Sequence, residues 1–188
     1  MSSTFVETER LIVLIDLAGF AKTFQSRADL EVAGWLQTFY EACDRVVTDH
    51  GGTLIKFMGD ACLATFAAEE GARAVAAVRA LQVAVDDHAR RHQMPVTLGA
   101  NLHIGRLIEG EFGGARRARD IIGRGVNQTF LLGSGAGVRI SEPVYRSPAS
   151  DQRSPWRKHK PPAIYHLDTA AGLLEGGGKS AAHNTARW

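Results

Sequence analysis

The segment Ile12–Phe20, which reads IVLIDLAGF, decides the fold. Its first half belongs to an unbroken apolar run, Leu11–Ile15, which ends at Asp16 and is followed closely by Gly19. An apolar run of this length, bounded by turn residues, predicts a strand that is buried on both faces and feeds a tight turn. A carboxylate at the end of such a strand must be solvated, cap a turn or bind a cation, because burying a bare charge is costly.

A second segment, Gly51–Phe66 (GGTLIKFMGDACLATF), predicts a β-hairpin. Two short apolar stretches, Thr53–Phe57 and Ala61–Phe66, flank a turn that contains Gly59 and Asp60. Turn residues between two apolar runs are typical of a hairpin tip, so Asp60 is predicted to lie there.

Apolar residues at helical spacing predict one helix between these two segments and another after the hairpin. The order strand, helix, strand, strand, helix, strand is the ferredoxin-like pattern. We therefore expect an α+β fold with a ferredoxin-like βαββαβ core sandwich and extra C-terminal strands, in a domain of residues 1–168 with a flexible tail at 169–188. Strands are also predicted at Val96–Ile104, Val138–Ile140 and Ala163–Leu167, with a short return strand at Ile121–Ile122. A glycine- and arginine-rich loop at Gly110–Arg119 is a candidate dimer arm, and a helix is predicted from Arg124 to about Gly133.

Composition excludes several classes of protein. The 188 residues are 45% hydrophobic and 22% charged with a net charge of +2, which is globular and gives no basic field for nucleic acid. No apolar run approaches the roughly 20 residues that span a bilayer. Cys43 and Cys62 lie in apolar segments, as buried thiols of a reducing compartment do. A cytoplasmic protein without nucleic-acid binding or membrane insertion is expected.

Asp16 and Asp60 can meet across a sheet edge, because the ferredoxin-like order sets the end of the first strand beside the hairpin. Two adjacent carboxylates repel unless one is protonated or a metal joins them. Mg²⁺ held by carboxylates and substrate phosphates is the usual solution. On spacing alone, the simpler alternative of a turn cap at Asp16 and a solvated tip at Asp60 remains favoured.

Four segments together resemble the catalytic domain of class III adenylyl and guanylyl cyclases. They occur in the family's order and near its spacing, and they cover most of residues 10–130. The segments are Ile12–Phe20, Gly51–Phe66, Leu98–Gly110 (LGANLHIGRLIEG) and Arg119–Asn127 (RDIIGRGVN).

The resemblance implies a site for two Mg²⁺ or Mn²⁺ ions and a nucleoside triphosphate. In this family the metal-binding and purine-reading residues belong to different protomers, so a chain that carries both sets implies a homodimer. The implied roles are metal binding by Asp16, Leu17 and Asp60; triphosphate binding by the backbone of Leu17, Ala18, Gly19 and Phe20, by Arg106, and by Lys160 in preference to Lys158; purine recognition by Lys56, Asp120 and Ile121; and ribose orientation by Asn127.

Hydrogen-bond chemistry favours ATP as the substrate, with cyclic AMP and pyrophosphate as products. Lys56 can donate to a ring nitrogen of adenine, and Asp120 can accept from its exocyclic amine. Guanine presents a carbonyl where adenine has the amine, which would leave the carboxylate unpaired. Without the resemblance, an exposed lysine and an aspartate in a charged loop would be the simpler interpretation.

The sequence departs from the family at Leu131. Four residues after the ribose-orienting asparagine, the family usually has an arginine that stabilises the transition state, and here it has leucine. Arg124 is a possible substitute. The alternative to an adenylate cyclase is therefore a degenerate cyclase-like domain that binds nucleotide or a partner in signalling without efficient catalysis.

Overall fold

The computed structural model describes residues 5–25, 27–147, 153, 155–159 and 163–167. In that part of the chain, eight strands form a single sheet and five helices pack on it. In chain order, the elements are β1 (Val6–Ala18), α1 (Phe20–Phe24), α2 (Asp29–Asp49), β2 (Thr53–Met58), β3 (Ala61–Ala67), α3 (Gly71–Arg91), β4 (Thr97–Gly113), β5 (Arg117–Ile122), α4 (Arg124–Phe130), β6 (Gly137–Ser141), α5 (Glu142–Arg146), β7 (Trp156–His159) and β8 (Ile164–Leu167).

The sheet contains the predicted ferredoxin-like core. Its order is β2-β3-β1-β4-β6-β8-β7, with β5 paired to the far half of β4. Each of the first four strands in this order is antiparallel to its neighbour, whereas β6 runs parallel to β4 and is followed by the antiparallel β8 and β7. The predicted α+β class and the extra C-terminal strands are confirmed.

The central strand β1 is buried on both faces, as its apolar run predicts. Leu11 and Val13 face the main core beneath α2 and α3. Ile12 points to the other face, where it packs with Leu63 of β3 and Val126 of α4. Alternation along this one strand therefore supplies two cores, one on each side of the sheet.

The segment predicted as an open loop at 110–119 is a β-hairpin instead. Strand β4 continues to Gly113 and β5 returns from Arg117. Gly113 adopts φ +125°, and a Cβ there would lie 2.4 Å from the Arg116 carbonyl oxygen, so the turn requires glycine. Charged residues obscured this pairing in the sequence, because they form ion pairs across the strands: Glu109 binds Arg119 at 3.0 Å.

The predicted tail at 169–188 lies outside the described residues, as does Lys160. Within the described residues, no helix combines the length and the apolar character needed to cross a membrane.

Two glycine substitutions test the packing between α2 and the sheet. A Cβ on Gly52 would lie 2.5 Å from Phe66 and 2.8 Å from Val47, both of which are buried. Gly52→Ala should lower the free energy of unfolding by about 1–3 kcal/mol, the usual cost of overpacking. Gly34→Ala in α2 is the matched control: its Cβ would meet open space, so it should raise stability by about 0.5–1 kcal/mol. Denaturant unfolding measures both, and equal effects would contradict this account of the packing.

Candidate active site

The carboxylates of Asp16 and Asp60 lie within electrostatic reach of each other. Asp16 directly follows the buried run Leu11–Ile15 of β1 and lies opposite Gly99 of β4, and Asp60 lies in the turn between β2 and β3. Burial raises the pKa of Asp16, the nearby Arg139 guanidinium opposes that rise, and the Asp60 carboxylate adds to it. Two carboxylates, each able to supply oxygen ligands to a metal ion, therefore lie close together at this end of β1.

Arg139 is a residue of this site that sequence reasoning missed. It lies in β6 and is only 7% exposed. Its positive charge lowers the pKa of Asp16. Its guanidinium donates to the backbone carbonyls of Ser134, Gly135, Ala136 and Gly137. A charge between the apolar neighbours Val138 and Ile140, just after a glycine-rich loop with carbonyls to satisfy, was the available signal.

Gly99 lets the Asp16 carboxyl group and the loop held by Arg139 pack closely together. A Cβ on Gly99 would lie 2.3 Å from Asp16 Oδ1 and 2.4 Å from the Gly135 carbonyl oxygen. Any side chain at this position would displace one or the other, because real Cβ atoms do not approach so closely.

Lys56 and Asp120 form an ion pair on the face of the sheet that carries α4. The distance from Lys56 Nζ to Asp120 Oδ2 is 2.6 Å, and Asp120 Oδ1 accepts a hydrogen bond of 2.8 Å from the Ile121 amide. The carboxylate is therefore fixed at both oxygens. The side chain of Ile121 is buried, so only its backbone is placed to meet a ligand.

A β-bulge turns Lys56 to this face. Leu54 pairs with Ala64, but Lys56 pairs with Leu63, so Ile55 is the extra residue in β2. If β2 continued in regular register from Leu54, Ile55 would pair with Leu63 and Lys56 would lie opposite Cys62, which faces the main core. A one-residue shift exchanges the faces of a strand, and the bulge makes that shift locally.

Helix α4 presents polar residues beside an exposed apolar surface. Asn127 and Arg124 are exposed on the helix. Leu131, the C-cap residue, is 78% exposed, and its amide donates to the Asn127 carbonyl one turn earlier. Ile122 at the end of β5 and Phe130 of α4 are also exposed, and we call these three apolar residues the α4 apolar patch.

The turn after β1 is tighter than the sequence indicates. Leu17 and Ala18 are still in β1, opposite Leu98 and Thr97, and the Leu17 side chain is buried in the core. Gly19 has φ +88° and a Cβ there would lie 2.8 Å from the Pro95 carbonyl oxygen. Phe20 then starts α1, a short helix that the sequence did not predict, whose first amides lack intrahelical partners.

Arg106 is not brought to the carboxylates of its own chain. It lies on β4 seven positions beyond Gly99, the residue opposite Asp16, which corresponds to about 23 Å along a strand. Its side chain is 79% exposed and lies 4.0 Å from Glu7. Within one chain Arg106 is therefore far from Asp16, and its expected contact with the triphosphate stays a prediction for a site that a second copy completes. Lys158 is exposed on β7, three strands beyond β4 in the sheet order.

The donor set suits a metal that is shared with a substrate. Among the described residues, no three His, Cys, Asp or Glu side chains group closely enough to bind a metal by themselves. Two neighbouring carboxylates fit Mg²⁺ or Mn²⁺, because such ions take a few carboxylate ligands and complete their coordination with phosphate oxygens and water.

Sequence comparison identifies a family for most of the chain. Residues 7–154 match the adenylate and guanylate cyclase catalytic domain. Adenylate cyclase 2 of Rhizobium meliloti is 27% identical over 135 residues, which are 68% of this chain and 37% of that protein. An uncharacterised protein of Mycobacterium tuberculosis is 28% identical over 123 residues, which are 64% of this chain and 23% of that protein. The chain thus spans well under half of these relatives.

Solved structures agree with this fold. The guanylyl cyclase Cya2 superposes with a TM-score of 0.76 at 22% identity, over 93% of this chain and 97% of that one. The adenylyl cyclase CyaB from P. aeruginosa superposes with a TM-score of 0.77 at 18% identity, over 92% of this chain and all of that one (100%). The chain therefore belongs to the adenylate and guanylate cyclase catalytic domain family.

Proposed function

We propose that this domain is an adenylate cyclase that converts ATP to 3′,5′-cyclic AMP and pyrophosphate at a site shared by two copies of the chain. The observation that carries the choice of ATP is the 2.6 Å ion pair between Lys56 and Asp120. Lys56 lies on the side of the sheet that holds α4, and the ion pair orients both side chains before a base arrives.

The ion pair suits adenine better than guanine. The Lys56 ammonium has three donors and the Asp120 carboxylate has further lone pairs, so each can still bind a base while they remain paired. Lys56 donates to a ring nitrogen and Asp120 accepts from the exocyclic amine. Guanine would set a carbonyl oxygen against the carboxylate, and a buried polar group without a partner costs about 1–3 kcal/mol.

The reaction makes one P–O bond and breaks another. The ribose 3′ oxygen attacks the α-phosphorus, the bond between the α-phosphorus and the bridging oxygen breaks, pyrophosphate leaves, and the hydroxyl proton passes to solvent. Asp16 and Asp60 hold divalent metal ions, with the Leu17 backbone beside them. When bound, these ions lower the pKa of the attacking hydroxyl and offset negative charge on the phosphates.

The other residues orient the substrate. Asn127 holds the ribose so that its 3′ oxygen is in line with the leaving group, since orientation is a large part of the barrier to such a step. The backbone amides at Gly19 and Phe20, where α1 begins, donate hydrogen bonds to phosphate oxygens. Lys160 remains our candidate for a further triphosphate contact.

We assign the second half of each site to a second copy of the chain. A two-fold dimer built from identical chains would contain two equivalent sites. The α4 apolar patch supports this assignment, because exposed apolar surface next to functional polar groups is typical of an interface. Leu131 at 78% exposure is its most exposed member.

A second candidate function rests on that same leucine. If no cation replaces the missing arginine, the domain would bind nucleotide in signalling without efficient turnover. Its nucleotide-binding residues would be the same, so binding alone does not separate the two functions, whereas product formation does.

The direct test is incubation of the protein with each nucleoside triphosphate and either Mg²⁺ or Mn²⁺, followed by identification of the products. We expect cyclic AMP from ATP, little product from GTP, and none after chelation of the metal. Asp60→Ala should abolish turnover while leaving the fold intact, because the residue lies in an exposed turn. Cyclic GMP as the main product would contradict the base assignment, and activity in chelator would contradict the metal assignment.

The ionised Asp16 carboxylate should lower the free energy of unfolding of the metal-free protein. Burial raises its pKa above the ordinary 3.8, so the folded state resists ionisation and stability falls as pH rises through the folded-state value. Asp16→Asn should therefore have a higher Tm than wild type at neutral pH without metal, with the gain shrinking toward pH 3.8. Wild type should gain about 2.7 kcal/mol from Mn²⁺ and ATP at 100 times Kd, and Asp16→Asn should gain far less. The opposite ranking without metal would contradict this electrostatic account.

Leu131→Arg should separate a slow enzyme from a nucleotide binder. Because Leu131 is exposed, an arginine there need not enter the core, and it would lie one turn beyond Asn127. A charge felt mainly in the transition state raises kcat rather than affinity, here by roughly ten-fold or more. Leu131→Gln is the matched control without charge. If wild type binds ATP but is silent and Leu131→Arg, still folded and dimeric, stays silent, the regulatory function is favoured.

A further inference from the structure

The turn that carries Asp60 is held by a residue of α2. Tyr40 Oη donates a hydrogen bond of 2.6 Å to the Gly59 carbonyl oxygen. The Tyr40 ring also stacks on Phe57, with 3.9 Å between ring centroids and 18° between ring planes. One side chain therefore contacts both the end of β2 and the tip of the hairpin.

The hydrogen bond acts on the peptide unit from which Asp60 begins. The Gly59 carbonyl and the Asp60 amide belong to one planar group, so fixing the carbonyl fixes the plane that leads to the Asp60 Cα. Gly59 adopts φ +64°, and among the described residues no atom lies within 4 Å of its Cβ position. A glycine in such a turn is conformationally free unless another group restrains it.

Tyr40 lies on a helix that is firmly packed against the main core. Helix α2 is anchored in the main core by Phe39 and Cys43, the neighbours of Tyr40 on the adjoining face, which are buried. Burial raises the pKa of the Tyr40 phenol and the Asp60 carboxylate adds to the rise, so the hydroxyl keeps its proton at neutral pH and remains a donor.

We infer that Tyr40 is a positioning residue for the metal-binding carboxylate: its hydroxyl holds the Gly59–Asp60 peptide so that Asp60 is aimed at the metal before the metal binds. The inference rests on the proposed function, because it assigns Asp60 to a metal. Tyr40 itself contacts the turn and is not given a contact with substrate.

Tyr40→Phe tests the inference, since it keeps the ring and its stacking on Phe57 and removes only the hydroxyl. Binding of Mn²⁺ to the full chain with ATP, followed by electron paramagnetic resonance, is the readout, so turnover is not needed. Loss of one hydrogen bond should weaken Mn²⁺ binding roughly two- to ten-fold. Tyr145→Phe is the matched control, because Tyr145 stacks on Tyr165 at 3.7 Å toward the opposite edge of the sheet, and it should leave Mn²⁺ affinity unchanged.

A double-variant cycle separates positioning from general stabilisation. In the Asp60→Asn background, adding Tyr40→Phe should leave the residual Mn²⁺ affinity unchanged, because the group that Tyr40 positions is already lost. A Tyr40→Phe protein that binds Mn²⁺ as wild type does, or an effect that persists in the Asp60→Asn background, would overturn the inference alone. A wild type that binds no Mn²⁺ would overturn the proposed function, and the inference with it.

Discussion

The burial of β1 on both faces is the constraint on which the rest of this structure depends. Its alternating residues build the main core beneath α2 and α3 and the smaller core beneath α4. Pairing with β3 on one edge and β4 on the other fixes the register of both neighbours. That register sets Asp16 opposite Gly99 and brings the hairpin tip with Asp60 alongside. The candidate active site is thus a consequence of how one apolar strand is paired.

The proposed role of the Asp16 carboxylate conflicts with the stability of the metal-free protein. Asp16 is half-buried and faces a second carboxylate, and Arg139 offsets this only in part. Arg139 is occupied by the carbonyls of the loop before β6, so it organises the wall of the site as well as countering the charge. In the proposed function, a metal ion that joined the two carboxylates would remove this repulsion.

The sequence predicted the βαββαβ order and the hairpin tip because these depend on apolar periodicity and on turn residues, which are local. It predicted only the end of β5, at Ile121–Ile122, and took the rest of the β4–β5 hairpin for a loop, because the charged residues there pair only after the strands meet. It did not predict the bulge at Ile55, which turns Lys56 to the face of α4. Register is a long-range property that apolar periodicity does not determine.

The central claim is that the site is assembled from two chains, and a mixed dimer tests it most directly. One chain would carry Asp16→Ala, which removes metal binding, and the other Lys56→Glu, which removes base recognition; two different affinity tags allow the mixed dimer to be purified. We predict that each variant alone is inactive and that the mixed dimer recovers about half of the wild-type rate with ATP, because one of its two sites is intact. A purified mixed dimer as inactive as its parents, alongside an active wild type, would contradict the account.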